Sequence, residues 1–252
     1  MSKKILYVTS ELYPYQDDTI ARAVNKMAIK MHSQGNDVRI FMPKFGVISE
    51  RKFQLHEVIR LSGMNIIIND LDQPLIIKVA SLPGERLQVY FIDNQEYFKR
   101  KEMFFDEENV AFMDNDERAM FFARGVIETV KKLNWVPDVI HLNGWMASFV
   151  PFYIKNFYKN DAFFADTKFV SSLYNEPDAT LYPEMKQKID FDGITDVKNS
   201  TDATFRSLTL ESLQFVDVVM KGEEFLDAEL EDVIASREEA SNQFVEFEEI
   251  TY

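Results

Sequence analysis

Apolar and polar positions follow two different spacings over the first 46 residues. Lys4–Thr9 is a short apolar run suited to a buried parallel strand, and residues 37–42 form a second one. Thr19–Ser33 lies between them, and Gly35 follows it as a helix end. Its apolar residues recur at helical spacing: Ile20, Ala23, Val24, Met27, Ala28 and Met31. This pattern predicts a βαβ unit.

The next segment predicts strands without helices between them. Turn residues separate apolar runs at residues 53–60, 64–69, 75–80 and 87–92. We therefore expect an antiparallel β insertion around 53–92.

Alternation of strands and helices then returns. The pattern predicts helices at 114–133, 145–158, 202–214 and 223–235, strands at 136–142, 168–172 and 216–220, and a long loop at 174–194. The expected fold class is α/β, a single Rossmann-like doubly wound domain over residues 1–235, followed by an acidic tail at 236–252.

Composition narrows the classes of partner. With 46% apolar residues the 252-residue chain can build a sizeable core, and its net charge of −14 opposes binding to nucleic acid or an anionic membrane. The absence of cysteine excludes disulfides and thiolate metal sites. The first apolar run is too short for a signal peptide or a membrane span, so we expect a cytoplasmic protein.

Much of the negative charge lies at the end of the chain. A solvated helix with a frayed tail is one interpretation of residues 221–252. Docking to a basic partner is the other, because Val245, Phe247 and Ile250 alternate with polar residues as in a strand that pairs with a sheet edge.

The loop after the first strand contains no glycine. Such a loop, at the carboxyl end of a parallel strand, binds phosphate in many folds through glycine backbone N–H groups at the following helix. Here residues 10–18 read SELYPYQDD. We expect the carboxylates of Asp17 and Asp18 to cap the helix and to repel an anion.

Several longer segments resemble the N-terminal domain of bacterial glycogen synthases and plant starch synthases, from residue 3 to about 234. They are SELYP, GNDVRIFMPKFG, YFIDNQEYFKRKEMFFDEEN, DNDERAMFFARGVIE and PDVIHLNGWMASFVP. The resemblance implies the acceptor-side half of a GT-B glycosyltransferase, which transfers glucose from ADP-glucose to an α-1,4-glucan. It also implies that most of the donor site belongs to a second domain, which we expect this chain to lack.

Three motifs of that family are altered. Gln16, Asp17, Asp18 and Thr19 stand where the family has Lys-Thr-Gly-Gly, whose lysine and glycine backbone contact the donor phosphates. Gly144 stands at the family's cleft aspartate, and Tyr174 at its cleft histidine. His141 matches a family residue, but a lone strand histidine is expected in the core. Trp145 can be either a core anchor or a platform for a sugar ring.

Other chemistries find no support in the sequence. Walker A, G-x-G-x-x-G and G-x-S-x-G motifs are absent, the histidines lack metal-ligand spacing, and the acidic run at 106–108 is expected to be a solvated loop. We expect no cofactor, no metal and no catalytic residue.

Three functions remain open. The first is a catalytically impaired protein that binds α-glucan or regulates its synthesis. The second is an active transferase subunit, completed by a separate donor-domain chain or by self-association. The third is a non-enzymatic interaction scaffold. The expected glucan-binding residues are Glu11, Tyr13, Gln16, Asn143, Trp145 and Asn175.

Overall fold

The computed structural model describes residues 2–181, 185–194 and 203–241, with side chains to residue 237 in the last range. Nine strands lie within these residues. They are β1 (Lys4–Thr9), β2 (Asp37–Pro43), β3 (His56–Glu57), β4 (Met64–Ile68), β5 (Leu71–Ser81), β6 (Gln88–Asp93), β7 (Val139–Asn143), β8 (Lys168–Leu173) and β9 (Val218–Lys221).

The strands form a sheet in the order β3-β5-β6-β2-β1-β7-β8-β9, with β4 paired to β5. All strands from β6 to β9 in this order are parallel, and β5 runs antiparallel to β3, β4 and β6. The chain builds outward from β1 to β2 and β6, then returns to the other side of β1 with β7. This reversal makes β1 and β7 a topological switch point, where ligands bind at the carboxyl ends of the strands.

The described helices connect these strands. They are α1 (Thr19–Ser33), α2 (Glu50–Phe53), α3 (Gln95–Phe98), α4 (Asn115–Lys132), α5 (Phe149–Lys155), α6 (Met185–Phe191), α7 (Phe205–Ser212) and α8 (Ala228–Ser241). The connections from β1 to β2 and from β6 to β7 run in opposite directions along the sheet. Because parallel crossovers are right-handed, α1 and α4 cover opposite faces of the sheet.

The doubly wound α/β fold predicted from the sequence is confirmed, including β1, α1 and the antiparallel strands. Two details of the β insertion were wrong. Residues 50–53 form the short helix α2, because the Ser49 side chain accepts the Lys52 N–H and Gln54 takes a left-handed conformation that ends the turn. Strand β6 belongs to the parallel sheet, since it pairs with β2.

Other predicted boundaries shift. The helix expected at 145–158 begins with a 3₁₀ turn, Trp145–Ser148, and ends at Lys155. The last helix begins at Ala228 rather than at residue 223, and α6 occupies part of the predicted loop at 174–194. The predicted acidic tail begins inside α8, and the Val245, Phe247 and Ile250 pattern lies outside the described residues.

The core is continuous across the sheet and rich in aromatic side chains. Phe45, Phe98 and Phe121 pack together on one side, and Trp145 stacks on Phe205 near the carboxyl end of β7. No helix among the described residues is long and apolar enough to cross a membrane.

Candidate functional site at the switch point

A cleft of about 430 Å³ opens at the carboxyl ends of β1, β7 and β8. Ligand sites in proteins have volumes of about 300–1,000 Å³, so the cleft is large enough for a small ligand. It is lined by Glu11, Asp18, Thr19, Ile20, Met103, Phe104, Phe105, Trp145, Asn175, Glu176 and Pro177. Neither lysine nor arginine occurs among these lining residues.

Met103, Phe104 and Phe105 form one wall of the cleft, and Arg118 of α4 holds this wall in place. The buried Arg118 guanidinium donates to the backbone oxygens of Tyr97 at 2.7 Å and Met103 at 2.6 Å. Burial lowers the pKa of Arg118 to about 9, yet it remains the cation that fixes this loop. Helix α4 therefore positions a wall of the cleft that is distant in sequence from the strand ends.

One of the two aspartates expected to cap α1 does so, and the other does not. The Asp18 carboxylate accepts the Ala21 N–H at 2.8 Å and so caps α1. Asp17 pairs with Arg22 at 2.6 Å on the surface. The positive end of the helix is thus already occupied by a carboxylate of this chain.

Carboxyl groups crowd the cleft. Burial, a side-chain hydrogen bond with Asp18 and the charges of Asp18 and Glu176 raise the pKa of Glu11 to about 10. At neutral pH Glu11 is therefore protonated and can donate to Asp18. Burial raises the pKa of Glu176 to about 7, although Glu176 accepts the Trp145 N–H at 3.0 Å.

Gly144 lies directly after β7 in a conformation that favours glycine, with φ at 83°. A Cβ atom at this position would lie 2.6 Å from Ser10 Oγ and 3.3 Å from Glu176 Oε1. No side chain fits here without displacing these neighbours.

Comparison with known proteins identifies the fold and the family. The family model of the starch synthase catalytic domain matches residues 4–219. This chain belongs to the starch synthase catalytic domain family.

Relatives within the starch synthase family include bacterial glycogen synthases from Chlorobium limicola and Chlorobaculum parvum. The Chlorobium limicola enzyme is 38% identical over 174 residues, which cover 68% of this chain and 36% of the relative. The Chlorobaculum parvum enzyme is 36% identical over 188 residues, covering 73% of this chain and 38% of the relative. This chain therefore spans little more than a third of the length of these relatives.

A solved member of the starch synthase family has the same fold. The catalytic domain of starch synthase IV from Arabidopsis thaliana, bound to ADP and acarbose, superposes with a TM-score of 0.76 at 16% identity. The match covers 98% of this chain and 51% of that chain. The GT-B half expected from the sequence is confirmed at the level of the fold.

Tyr174, which the sequence resemblance places at the family's cleft histidine, is buried. The Tyr174 hydroxyl donates to Asn143 Oδ1 at 2.8 Å, and the Tyr174 ring lies over Gly222, where a Cβ would approach within 2.2 Å. His141 is buried beside this pair, and its Nε2 lies 2.7 Å from Ser172 Oγ. Burial lowers the pKa of His141 to about 3, so it is a neutral core residue as predicted.

The structure brings some predicted glucan-binding residues together. Glu11, Trp145 and Asn175 line the cleft, whereas Asn143 lies buried beneath it. Tyr13 is exposed beside the first loop, and the Gln16 amide contacts Met103 Sδ at 3.2 Å. Sugar contacts by all six residues stay a prediction.

Trp145 is a core anchor at the edge of the cleft. Its side chain is 1% exposed, and its ring stacks on Phe205 with centroids 3.9 Å apart. The Phe104 ring meets it edge-on at 5.2 Å. The face covered by Phe205 is not available to a sugar ring.

Sequence reasoning missed the cleft wall at 103–105 and Glu176. The wall lies far from the strand ends in sequence, so only tertiary contacts bring it to the cleft. Glu176 directly follows Asn175 after the predicted strand at 168–172, and this position was the available signal. No group of metal-ligating side chains occurs among the described residues.

Proposed function

We propose that this domain binds an α-glucan in the cleft and does not by itself transfer glucose from ADP-glucose. The observation that carries the proposal is that carboxyl groups line the cleft, whereas neither lysine nor arginine occurs among its lining residues. Asp18 caps α1, Glu11 and Glu176 line the same cleft, and Arg22 is paired with Asp17.

The electrostatic argument concerns the diphosphate of the donor. Two like charges about 4 Å apart repel by about 4 kcal/mol at an effective dielectric constant near 20. Each ionised carboxylate this close to a diphosphate therefore lowers the affinity for it by several factors of ten. The Asp18 cap also engages the Ala21 N–H, one of the helix-end groups that bind phosphate elsewhere.

A neutral sugar meets none of this repulsion. Its hydroxyl groups can donate to Glu11, Asp18 and Glu176, and its apolar faces can contact Phe104 and Phe105. The Trp145 indole N–H and the Ser10 hydroxyl are buried without a hydrogen-bond partner among the described residues. A bound polyol could satisfy such groups, which are unfavourable when unpaired.

Titration calorimetry tests the proposal with maltohexaose, ADP and ADP-glucose as separate ligands. We expect binding of maltohexaose and no measurable binding of the two nucleotides. A glucosyl transfer assay with labelled ADP-glucose should show no product, with the Chlorobium limicola glycogen synthase as positive control. Tight binding of ADP-glucose, or absence of maltohexaose binding, would contradict the proposal.

A second candidate is association of the cleft face with another protein, either a donor-domain chain or a second copy of this one. Exposed apolar side chains near the cleft favour it. Phe225 is 74% exposed, its backbone oxygen accepts from Asn175, and Tyr13 is 44% exposed. Sedimentation analysis of the protein and of a Phe225→Ser variant tests self-association, and mixing with candidate donor-domain chains tests restoration of glucan elongation.

A scaffold role for the acidic tail stays a third hypothesis. Capture of partners with and without residues 236–252 tests it, because an unchanged set of partners would exclude the tail as a contact. The cytoplasmic location inferred from the sequence also stays a prediction.

A further inference from the structure

The Glu176 carboxylate lies beside the position where a side chain of residue 144 would begin. Its Oε1 is 3.3 Å from the Cβ position of Gly144, although Glu176 follows β8 and Gly144 follows β7. The sequence resemblance implies that other members of the family have an aspartate of the acceptor side at the position of Gly144. The structure therefore places a carboxylate from the neighbouring strand next to the position that lost one.

The Glu176 carboxylate is held in place by the chain that it contacts. Its Oε1 accepts the backbone N–H of Trp145, the residue after Gly144, at 3.0 Å. Glu176 and Trp145 line both the cleft and a small adjoining cavity near Phe205 and Arg206. This hydrogen bond fixes the orientation of the carboxylate and uses only Oε1, so Oε2 does not take part in it.

We propose that Glu176 replaces the family's cleft aspartate and is the carboxylate that accepts hydrogen bonds from the hydroxyl groups of a bound glucan. This inference rests on the glucan binding proposed above and assigns the contact to one residue. Glu176 is then a binding and specificity residue that the altered motif at residue 144 does not reveal.

A second observation points to a polyol at this place. The Trp145 side chain, which is 1% exposed, has an indole N–H without a hydrogen-bond partner among the described residues. The Ser10 hydroxyl, also unpaired, is 2.6 Å from the same Cβ position of Gly144. The Ser10 hydroxyl and the Glu176 carboxylate near this one position suit a sugar hydroxyl, which both donates and accepts.

The surrounding charges leave Glu176 as the group that titrates near neutral pH. The charges of Asp18 and Glu223 raise the pKa of Glu176, and the charge of Arg206 lowers it. Glu11 is protonated near neutral pH and adds no charge there. Arg206 itself pairs with Asp227 and Glu229. Glu176 is thus the acceptor whose ionisation a binding experiment can detect.

The experiment compares the unsubstituted protein with Glu176→Gln and with Glu57→Gln as the matched control. Glu57 is exposed on β3 at the far edge of the sheet, so its variant loses the same charge away from the cleft. Maltohexaose titrations at pH 8 should show Kd at least about tenfold higher for Glu176→Gln, the effect of one charge-assisted hydrogen bond. Glu57→Gln should bind as the unsubstituted protein does.

A pH series separates a glucan contact from a structural role. Between pH 5.5 and 8.5 the affinity of the unsubstituted protein should rise with pH, because the ionised carboxylate is the stronger acceptor. The Glu176→Gln variant should lose this dependence while its circular dichroism spectrum stays unchanged. The Trp145 backbone amide, followed by NMR without glucan, should titrate over the same range and stop doing so in Glu176→Gln.

The outcomes distinguish the two proposals. Absence of maltohexaose binding by the unsubstituted protein would refute both the proposed function and the proposed contact between Glu176 and the glucan. Binding that Glu176→Gln leaves unchanged would refute the contact alone and keep the proposed function. A Trp145 amide that does not titrate would show that Glu176 is not the carboxylate beside Gly144.

Discussion

Substitution of Gly144 tests whether the family's cleft side chain can be restored in this domain. Gly144 has φ at 83°, a conformation that costs a residue with a side chain about 1–3 kcal/mol. A Cβ would also lie 2.6 Å from the Oγ of Ser10, which is fully buried. Overpacking of this kind adds about 1–3 kcal/mol. We therefore expect Gly144→Ala to lower the free energy of unfolding by about 2–6 kcal/mol.

Gly144→Asp should be more damaging still. Its carboxylate would lie close to Glu176, and above pH 7, where Glu176 is ionised, two like charges about 4 Å apart repel by about 4 kcal/mol at an effective dielectric constant near 20. Domains have total stabilities of about 5–15 kcal/mol, so this variant should be close to unfolding in water. Restoring the family residue alone should not restore transfer from ADP-glucose.

Gly84→Ala is the matched control, because Gly84 has the same φ of 83° and no atom within 4 Å of its Cβ position. Urea unfolding followed by circular dichroism measures both variants, and the midpoint and slope give the free energy. The difference between the losses of unfolding free energy in Gly144→Ala and in Gly84→Ala measures the contribution of the steric clash. Replacing Ser10 by glycine in the Gly144→Ala background should recover part of it. Equal losses for the two alanine variants would refute the steric argument.

Three further predictions concern the same region. Glu176 has a pKa raised from 4.5 to about 7, so its contribution to stability is fully present below pH 4.5 and is lost as the pH rises through 7. Glu176→Gln should abolish this pH-dependent loss, which is at most about 3 kcal/mol. If the free energy of unfolding changes between pH 5 and 8 by the same amount in the variant and in the unsubstituted protein, this prediction is wrong. Phe205→Ala removes the ring stacked on Trp145 and should lower the free energy of unfolding by about 3–5 kcal/mol in urea, whereas Phe225→Ala, at an exposed site, should change it little. Asp18→Ala removes the cap of α1 and should destabilise the protein by about 1 kcal/mol while weakening the repulsion of ADP. A calorimetric titration with ADP that is no more favourable than before would argue against repulsion of the diphosphate by this carboxylate.

The sequence by itself determined the elements whose spacing is local. The apolar run of β1, the helical spacing of α1 and the alternation after α4 specified a doubly wound sheet, since each pattern reflects the period of one element. The capping role of Asp18 was also predictable, because a cap depends on residues three positions apart. His141 was assigned to the core for the same kind of reason, from its place in a buried strand.

Only the tertiary structure decided which of these groups meet. The wall of Met103 and Phe104 is held at the cleft by Arg118 of α4, and Glu176 after β8 reaches Gly144 after the neighbouring strand β7. Trp145 faces Phe205, which is 60 residues away in the chain, and this contact settles its place in the core. Sequence patterns record the periodicity of single elements, whereas a cleft is formed by the ends of several elements that the sheet brings together. The sequence of the first loop therefore predicted part of the charge of this cleft, but no sequence pattern predicted its geometry.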